Sequence, residues 1–176
     1  MEYNTRIMII RKATKEDIPA LFELARRVHL GYPYTDLIPQ SHWQEYSAAY
    51  EDTDYNRDKY YQKLNRYIDQ PQSWAYVAEV DGQIAGYRVF YHDGTMLHLR
   101  GLFVDEAYRR RGIGSALFRQ ALYHAPDDVP MELTVLEGNE NAIRLYERDG
   151  FRRRVVPPTQ FHGASQISMI RDGAKG

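Results

Sequence analysis

Val104-Asp105-Glu106-Ala107-Tyr108-Arg109-Arg110-Arg111-Gly112-Ile113-Gly114-Ser115-Ala116-Leu117 is the stretch on which the fold turns. It leaves an apolar segment through two acids, crosses three arginines and two glycines, and enters a pattern with Ile113, Ala116, Leu117 and Ala121 on one side. That order predicts a strand end, a basic loop and an amphipathic helix from about Gly112 to His124. N–H groups in the first turn of a helix lack intrahelical acceptors and carry partial positive charge, which favours phosphate oxygens. Gly112 and Gly114 remove side chains that would hold a ligand off the backbone, and the arginines add cationic reach. The loop thus predicts a phosphate-bearing ligand held by Arg109, Arg110, Arg111, Gly112, Ile113, Gly114 and Ser115. A merely structural loop with a solvated arginine face fits the same residues. A nucleotide-hydrolase P-loop is excluded, because no Lys-Ser or Lys-Thr follows the second glycine. The dinucleotide fingerprint lacks its third glycine.

Working outward, Trp74–Val80, Ile84–Tyr91 and Met96–Val104 read as strands joined at Asp81-Gly82 and His92-Asp93-Gly94-Thr95, an antiparallel meander. Downstream, Met131–Leu136 reads as a strand, Asn139–Arg148 as a helix and Phe151–Val156 as a strand. Gln166–Arg171 is the last strand, pairing back across Pro157-Pro158. Upstream, Ile7–Arg11 is a short strand. Thr14 reads as an N-cap, with Asp17 standing where a capping box usually has Glu or Gln. Ile18, Leu21, Phe22, Ala25 and Val28 then make one helical stripe. Ser41–Ile68 is a more polar pair of helices broken near Asp52–Asn56. The expected class is α/β, a mixed and mostly antiparallel central sheet flanked by helices.

Composition bounds the function. A chain of 176 residues fits one domain, 1–176. With 23 basic and 24 acidic residues, nucleic acid is an unlikely partner. There is no cysteine, so disulfides, thiolate metal sites and an acyl-cysteine intermediate are excluded. No metal is expected. The apolar run Ile7–Ile10 meets Arg11 and Lys12 at once, so neither a signal peptide nor a membrane span is built from it. The expectation is a cytoplasmic protein with no membrane partner, and a homodimer stays open. Many of the 15 tyrosines lie between Tyr32 and Tyr91, where an apolar body with a polar tip suits either a pocket wall or helix and strand cover.

A second motif lies downstream: Asn139-Glu140-Asn141-Ala142-Ile143-Arg144-Leu145-Tyr146-Glu147-Arg148-Asp149-Gly150-Phe151. The two together resemble the GNAT N-acetyltransferase superfamily. Arg109, Gly112 and Gly114 match its Arg/Gln-x-x-Gly-x-Gly/Ala loop, and the second stretch matches Asn-x-x-Ala-x-x-x-Tyr-x-x-x-Gly-Phe in full. The resemblance covers residues 74–156. It departs at Arg110, where glycine is common, and at Glu106, where proline is frequent.

The resemblance implies acetyl-coenzyme A as co-substrate, its pyrophosphate on the loop. It implies that strands Met96–Val104 and Met131–Leu136 splay into a cleft, where backbone at Leu102, Phe103 and Val104 holds the pantetheine arm. Gly101 suits close approach there, or a plain bulge. Asn139 contacts the coenzyme and Tyr146 is the leaving-group acid, although a core tyrosine also fits its helical face. For the base, His98 stands where some members carry a glutamate, but it equally fits the polar face of a strand. Glu132 or a chain of waters are the other candidates. The acceptor side falls to Tyr32–Tyr67 and Thr159–Ser165, where Asp36, Glu45, Glu51, Asp52, Asp54 and Asp58 beside aromatic rings suggest attraction of a cationic amine, small-molecule or peptide. The implied function is N-acetyl transfer by direct attack in a ternary complex. The alternative is a catalytically silent acyl-coenzyme A sensor.

Overall fold

Residues 73–104 alternate between two buried faces around two tight turns, and they fold as the meander that this period demands. The computed structural model describes residues 7–125 and 128–173. Its strands are β1 (Met8–Lys12), β2 (Ser73–Val80), β3 (Gln83–His92), β4 (Leu97–Val104), β5 (Met131–Leu136), β6 (Arg152–Arg153), β7 (Thr159–Phe161) and β8 (Ala164–Arg171). They form one sheet in the order β1-β2-β3-β4-β5-β8-β6, with β7 paired on β8. Only β4–β5 is parallel. Asp81 and Gly82 both take positive φ, 51° and 79°, as the tight turn between β2 and β3 requires.

Helices α1 (Ile18–His29), α2 (Tyr34–Leu37), α3 (Gln40–Ala48) and α4 (Asp54–Asp69) precede the meander; α5 (Ile113–His124) and α6 (Glu140–Arg148) follow it. Alternation along the strands divides the core in two. Ala75, Val77, Tyr87 and Val89 pack with Leu21, Leu24, Ala25 and Leu64 of α1 and α4. Tyr76, Ala78, Phe90, Leu97, Leu99, Met131 and Leu133 pack with Leu117, Phe118, Ile143 and Tyr146 of α5 and α6. Thr14 stands at the N-cap of the 3-10 turn Lys15–Asp17 that leads into α1, its N–H donating to the Asp17 carboxylate at 2.8 Å, and Arg11 grips that carboxylate at 2.7 Å.

Three elements differ from expectation. The four-residue α2 is too short for a helical period to register. The strand expected over Phe151–Val156 shrinks to Arg152–Arg153, with one further bond from Arg154 N–H to the Ser168 carbonyl at 2.9 Å. Beyond it the chain meets Pro157-Pro158, which have no N–H to donate. β8 starts at Ala164 because a hairpin precedes it: β7 pairs Phe161 with Ala164, and His162 and Gly163 turn the corner at φ 46° and 74°.

Candidate functional site

β4 and β5 pair through Leu97–Met131, His98–Glu132 and Leu99–Leu133, and then part. Each strand continues, held only on its outer side. Leu102, Phe103 and Val104 stay in register with Arg88, Tyr87 and Gly86 of β3, and Thr134–Leu136 stay on β8. The facing edges of β4 and β5 therefore border a wedge with no ladder between them, leaving backbone donors and acceptors to seek other partners. A bulge accompanies the parting: the β3–β4 register passes from Phe90–Leu99 to Val89–Gly101, with Arg100 the extra residue. A Cβ on Gly101 would come within 2.8 Å of Phe103 Cε2 and 3.1 Å of Val89 Cγ2, so glycine lets the strand end close up at the bend.

The loop expected to hold phosphate lies beyond β4. Asp105 accepts from Ala107 N–H at 3.0 Å and starts a 3-10 turn over Glu106–Tyr108. Arg109 donates from Nε to the Val104 carbonyl at 3.3 Å and from Nη1 to the Tyr32 carbonyl at 3.1 Å. Its guanidinium, expected to reach a ligand, also fastens the loop to the end of β4 and to the turn after α1. Arg110 has φ 60° and Gly112 φ 77°, which delivers the chain into α5 with Gly112 as N-cap and no side chain capping the first turn. The first backbone bond of the helix runs from Ala116 N–H to the Gly112 carbonyl at 2.9 Å, so the amides of Ile113, Gly114 and Ser115 have no intrahelical acceptor. No protein atom lies within 4 Å of where a Gly112 Cβ would stand. Arg110 and Arg111 are exposed, Arg111 over the Tyr108 ring at 5.4 Å. A Cβ on Gly114 would lie 3.2 Å from Leu145 Cδ2 and 3.6 Å from Leu102 Cδ2; its absence seats the first turn of α5 between β4 and α6.

The second motif is largely a helix with both ends capped. Asn139 Oδ1 accepts from Ala142 N–H at 3.3 Å as the N-cap of α6. At the other end Gly150, at φ 89°, donates to the Glu147 carbonyl at 3.1 Å, and Phe151 donates to the Tyr146 carbonyl at 2.9 Å, the paired bonds of a Schellman ending. The Tyr146 and Phe151 rings meet at 5.9 Å, the apolar contact that accompanies it. Tyr146 is 8% exposed. Burial raises the Tyr34 phenol to about 12, with Tyr146 adding to the rise and Arg109 opposing it, so these three groups sit within electrostatic reach of one another.

The two base candidates meet each other. His98 Nδ1 lies 2.7 Å from Glu132 Oε1, and His98 Nε2 lies 2.6 Å from Asp93 Oδ2. Arg100 and Arg154 reach the two Glu132 oxygens at 3.3 and 3.4 Å, and the imidazole stacks on Tyr91 at 4.6 Å. Arg100 Nη2 also lies 3.1 Å from His98 Nδ1, so the imidazole sits in a network of two carboxylates and a guanidinium. The bond from His98 holds the Asp93 carboxyl well below its usual range.

On the expected acceptor side the rings turn inward and the acids outward. His29 stacks on Tyr50 at 4.0 Å and meets Tyr34 at 4.7 Å and Phe103 at 5.2 Å. Its Nδ1 lies 2.7 Å from the Tyr46 hydroxyl. The β7–β8 corner closes on the cluster through Tyr46–Phe161 and Tyr46–His162 ring contacts at 6.0 and 5.3 Å. Asp36, Glu45, Glu51, Asp52, Asp54 and Asp58 are all exposed, with Asp52 and Asp54 paired to Arg57. Their carboxylates stay in water on polar helix faces, and Glu45 Oε1 lies 3.9 Å from His162 Nδ1 at the rim of the aromatic cluster.

A family description of acetyltransferases, GNAT family, matches residues 36–151, which takes in the wedge, the loop and α6. The chain belongs to the GNAT acetyltransferase family. Among its relatives is an uncharacterized N-acetyltransferase of Methanocaldococcus jannaschii, 29% identical over 175 residues and covering 96% of each chain. An N-alpha-acetyltransferase of Sulfurisphaera tokodaii is 28% identical over 162 residues, covering 81% of this chain and 79% of that one. In fold, the chain is similar to the PaiA N-acetyltransferase of Thermoplasma acidophilum, whose structure holds coenzyme A, with TM-score 0.75 and 19% identity over 94% of this chain and 99% of that one. No helix among the described residues is long and apolar enough to cross a membrane, and no group of three or more His, Asp or Glu side chains among them is arranged to hold a metal ion.

In this GNAT chain three residues near the site escape the sequence reading. Arg88 shows as a cation flanked by Tyr87, Val89 and Phe90 in a strand buried on both faces. His29 continues the i, i+4 row of Leu21 and Ala25. Asp93 hides in a turn, where an acid beside glycine reads as turn chemistry.

Proposed function

We propose that this chain transfers an acetyl group from acetyl-coenzyme A to a small-molecule or peptide amine, by direct attack in a ternary complex, within one domain spanning residues 1–176. The observation that carries the reading is the wedge between β4 and β5, which runs to an uncapped helix start. Family membership supports acyl transfer from coenzyme A. The pyrophosphate is assigned to the amides of Gly112, Ile113, Gly114 and Ser115, with Arg110 and Arg111 as flanking cations and Arg109 as the brace that shapes the loop. The pantetheine arm is assigned to the free edge of Leu102, Phe103 and Val104, and Asn139 borders it from α6.

An amine with pKa ~10.4 is neutral in only about one molecule in 2,500 at pH 7, so attack waits on loss of a proton. His98 and Glu132, bonded to each other at 2.7 Å, are the base candidates, and the reading gives that proton to one of them, directly or through a chain of waters in the wedge. The amine nitrogen bonds to the acyl carbon, the carbon–sulfur bond breaks, Tyr146 gives its hydroxyl proton to the departing sulfur, and the nitrogen's second proton passes through water to the Tyr146 oxygen. The same cleft also suits a silent acyl-coenzyme A sensor. Release of free coenzyme A, measured across amines, amino acids, aminoglycosides and peptides, separates the two: sustained release with one acceptor is expected, and tight binding without release throughout would support the sensor.

The loop assignment is tested by Ser115→Glu. A carboxylate in the first turn suits the helix dipole but repels a pyrophosphate. Melting temperature should hold or rise, while KM for acetyl-coenzyme A rises about 10-fold or more. An unchanged KM would remove the loop from the site.

A further inference from the structure

Arg88 is the only charged side chain among the described residues that is withdrawn into the core, at 1% exposure. It stands on β3 opposite Leu102 of β4 and Tyr76 of β2. Its guanidinium carbon lies 5.5 Å from the Phe118 ring centre and 5.8 Å from that of Tyr146. Neither Nε nor Nη1 has a hydrogen-bond partner, and Asp149 Oδ2 is also buried without one. Burial pushes the guanidinium below its ordinary value, with the Tyr146 hydroxyl and the Asp149 carboxyl beside it acting the other way. A cation left this far from full pairing costs stability, and methionine would fill the space between sheet and helices without that cost. Packing therefore does not account for the charge.

We propose that Arg88 is a positioning residue for the leaving-group step, one that directs the Tyr146 hydroxyl proton towards the wedge and stabilises the phenolate left when that proton is given up. The inference rests on the reading of Tyr146 as the acid. A guanidinium has donors only, so a phenol oxygen beside it accepts, and the phenol's own proton must point elsewhere. When the carbon–sulfur bond breaks, its electron pair stays on sulfur, sulfur takes the Tyr146 proton, and the new phenolate faces Arg88 in a medium that screens charge weakly. The proton lost before attack passes from the base to solvent, and the second proton, shed by the nitrogen as the amide forms, returns to the phenolate through water, so the cycle closes with amide and free thiol as products.

The test combines turnover, binding and melting for Arg88→Met, Arg88→Lys, Tyr146→Phe and the Arg88→Met/Tyr146→Phe double variant. Arg88→Met should lose about 10-fold in kcat, with KM for acetyl-coenzyme A within about twofold and melting temperature equal or higher. Arg88→Lys, which keeps the charge, should recover part of the loss. The double variant should be no slower than Tyr146→Phe alone, the signature of two groups acting in one step. Normal kcat in Arg88→Met, an unfolded or less stable Arg88→Met, or losses that multiply in the double variant would each overturn the proposal. If Tyr146→Phe itself turns over normally, it is the reading of Tyr146 that fails.

Discussion

Arg110 explains its own departure from the family pattern. At φ 60° it occupies the left-handed region, where an L side chain costs about 1–2 kcal/mol and glycine costs nothing sterically. Glycine also enlarges the unfolded ensemble, returning about 0.4–1 kcal/mol of that gain. Arg110→Gly should therefore leave the protein as stable or stabilise it by about 0.5 kcal/mol, while one cation beside the proposed pyrophosphate is lost and KM for acetyl-coenzyme A rises. Calorimetry and steady-state kinetics on one preparation check both halves; a fall in melting temperature would contradict the strain argument. The residue type was plain in the sequence, and the reason glycine is usual there was not, because it lies in a backbone angle. Gly112 teaches the same lesson: its φ, with no crowding by the protein, is what demands glycine.

At the scale of elements, the Asn139–Phe151 motif is legible because nearly all of it is local. Asn139 caps the helix at its start, and Gly150 and Phe151 end it, through bonds that span three to five residues. Gly150 therefore belongs to the helix ending more than to any ligand. With φ 89° and Arg171 Nε 3.3 Å from where a Cβ would stand, Gly150→Ala should cost about 1 kcal/mol, a fall of roughly 2–4 °C in melting temperature for a chain of this size. KM for acetyl-coenzyme A should hold within about twofold; a large rise would move Gly150 into the binding site. β4 is the opposite case. Its alternation predicted a strand, yet the bulge at Arg100 and Gly101 and the parting from β5 depend on Val89 of β3 and Leu133 of β5, far from it in sequence.

At the scale of the whole molecule, His29 ties together segments far apart in sequence: α1, α2, α3 and the end of β4 meet around its ring. It is 9% exposed, and burial, aided by Lys63, lowers its pKa from 6.5 to about 3. The unfolded chain takes up this proton near 6.5 and the folded chain only near 3, so protons favour unfolding as the pH falls between those values. Stability should decline towards acid pH at up to about 1.4 kcal/mol per unit. His124, lowered by burial and by Lys12, adds to the same slope, so the comparison needed is with His29→Gln. That variant should show a shallower dependence of melting temperature between pH 6 and 4.5. Identical slopes would mean that His29 is protonated in the folded protein.

Local order was therefore the sequence's own contribution: the helix starts and stops, the meander, and the pairing of a glycine loop with the capped tyrosine helix that marks the family. Those features rest on spacing, capping and turn angles, forces that act within a few residues. Tertiary contact decided the rest. It parted β4 from β5, turned Arg109 back onto the Val104 and Tyr32 carbonyls, joined His98 to Asp93 and Glu132, put Arg88 beneath Tyr146, and left the six acids in water while the rings closed inward. Most of these outcomes are set by partners tens of residues away along the chain, and which side chains share a space is a property of packing that no local pattern encodes.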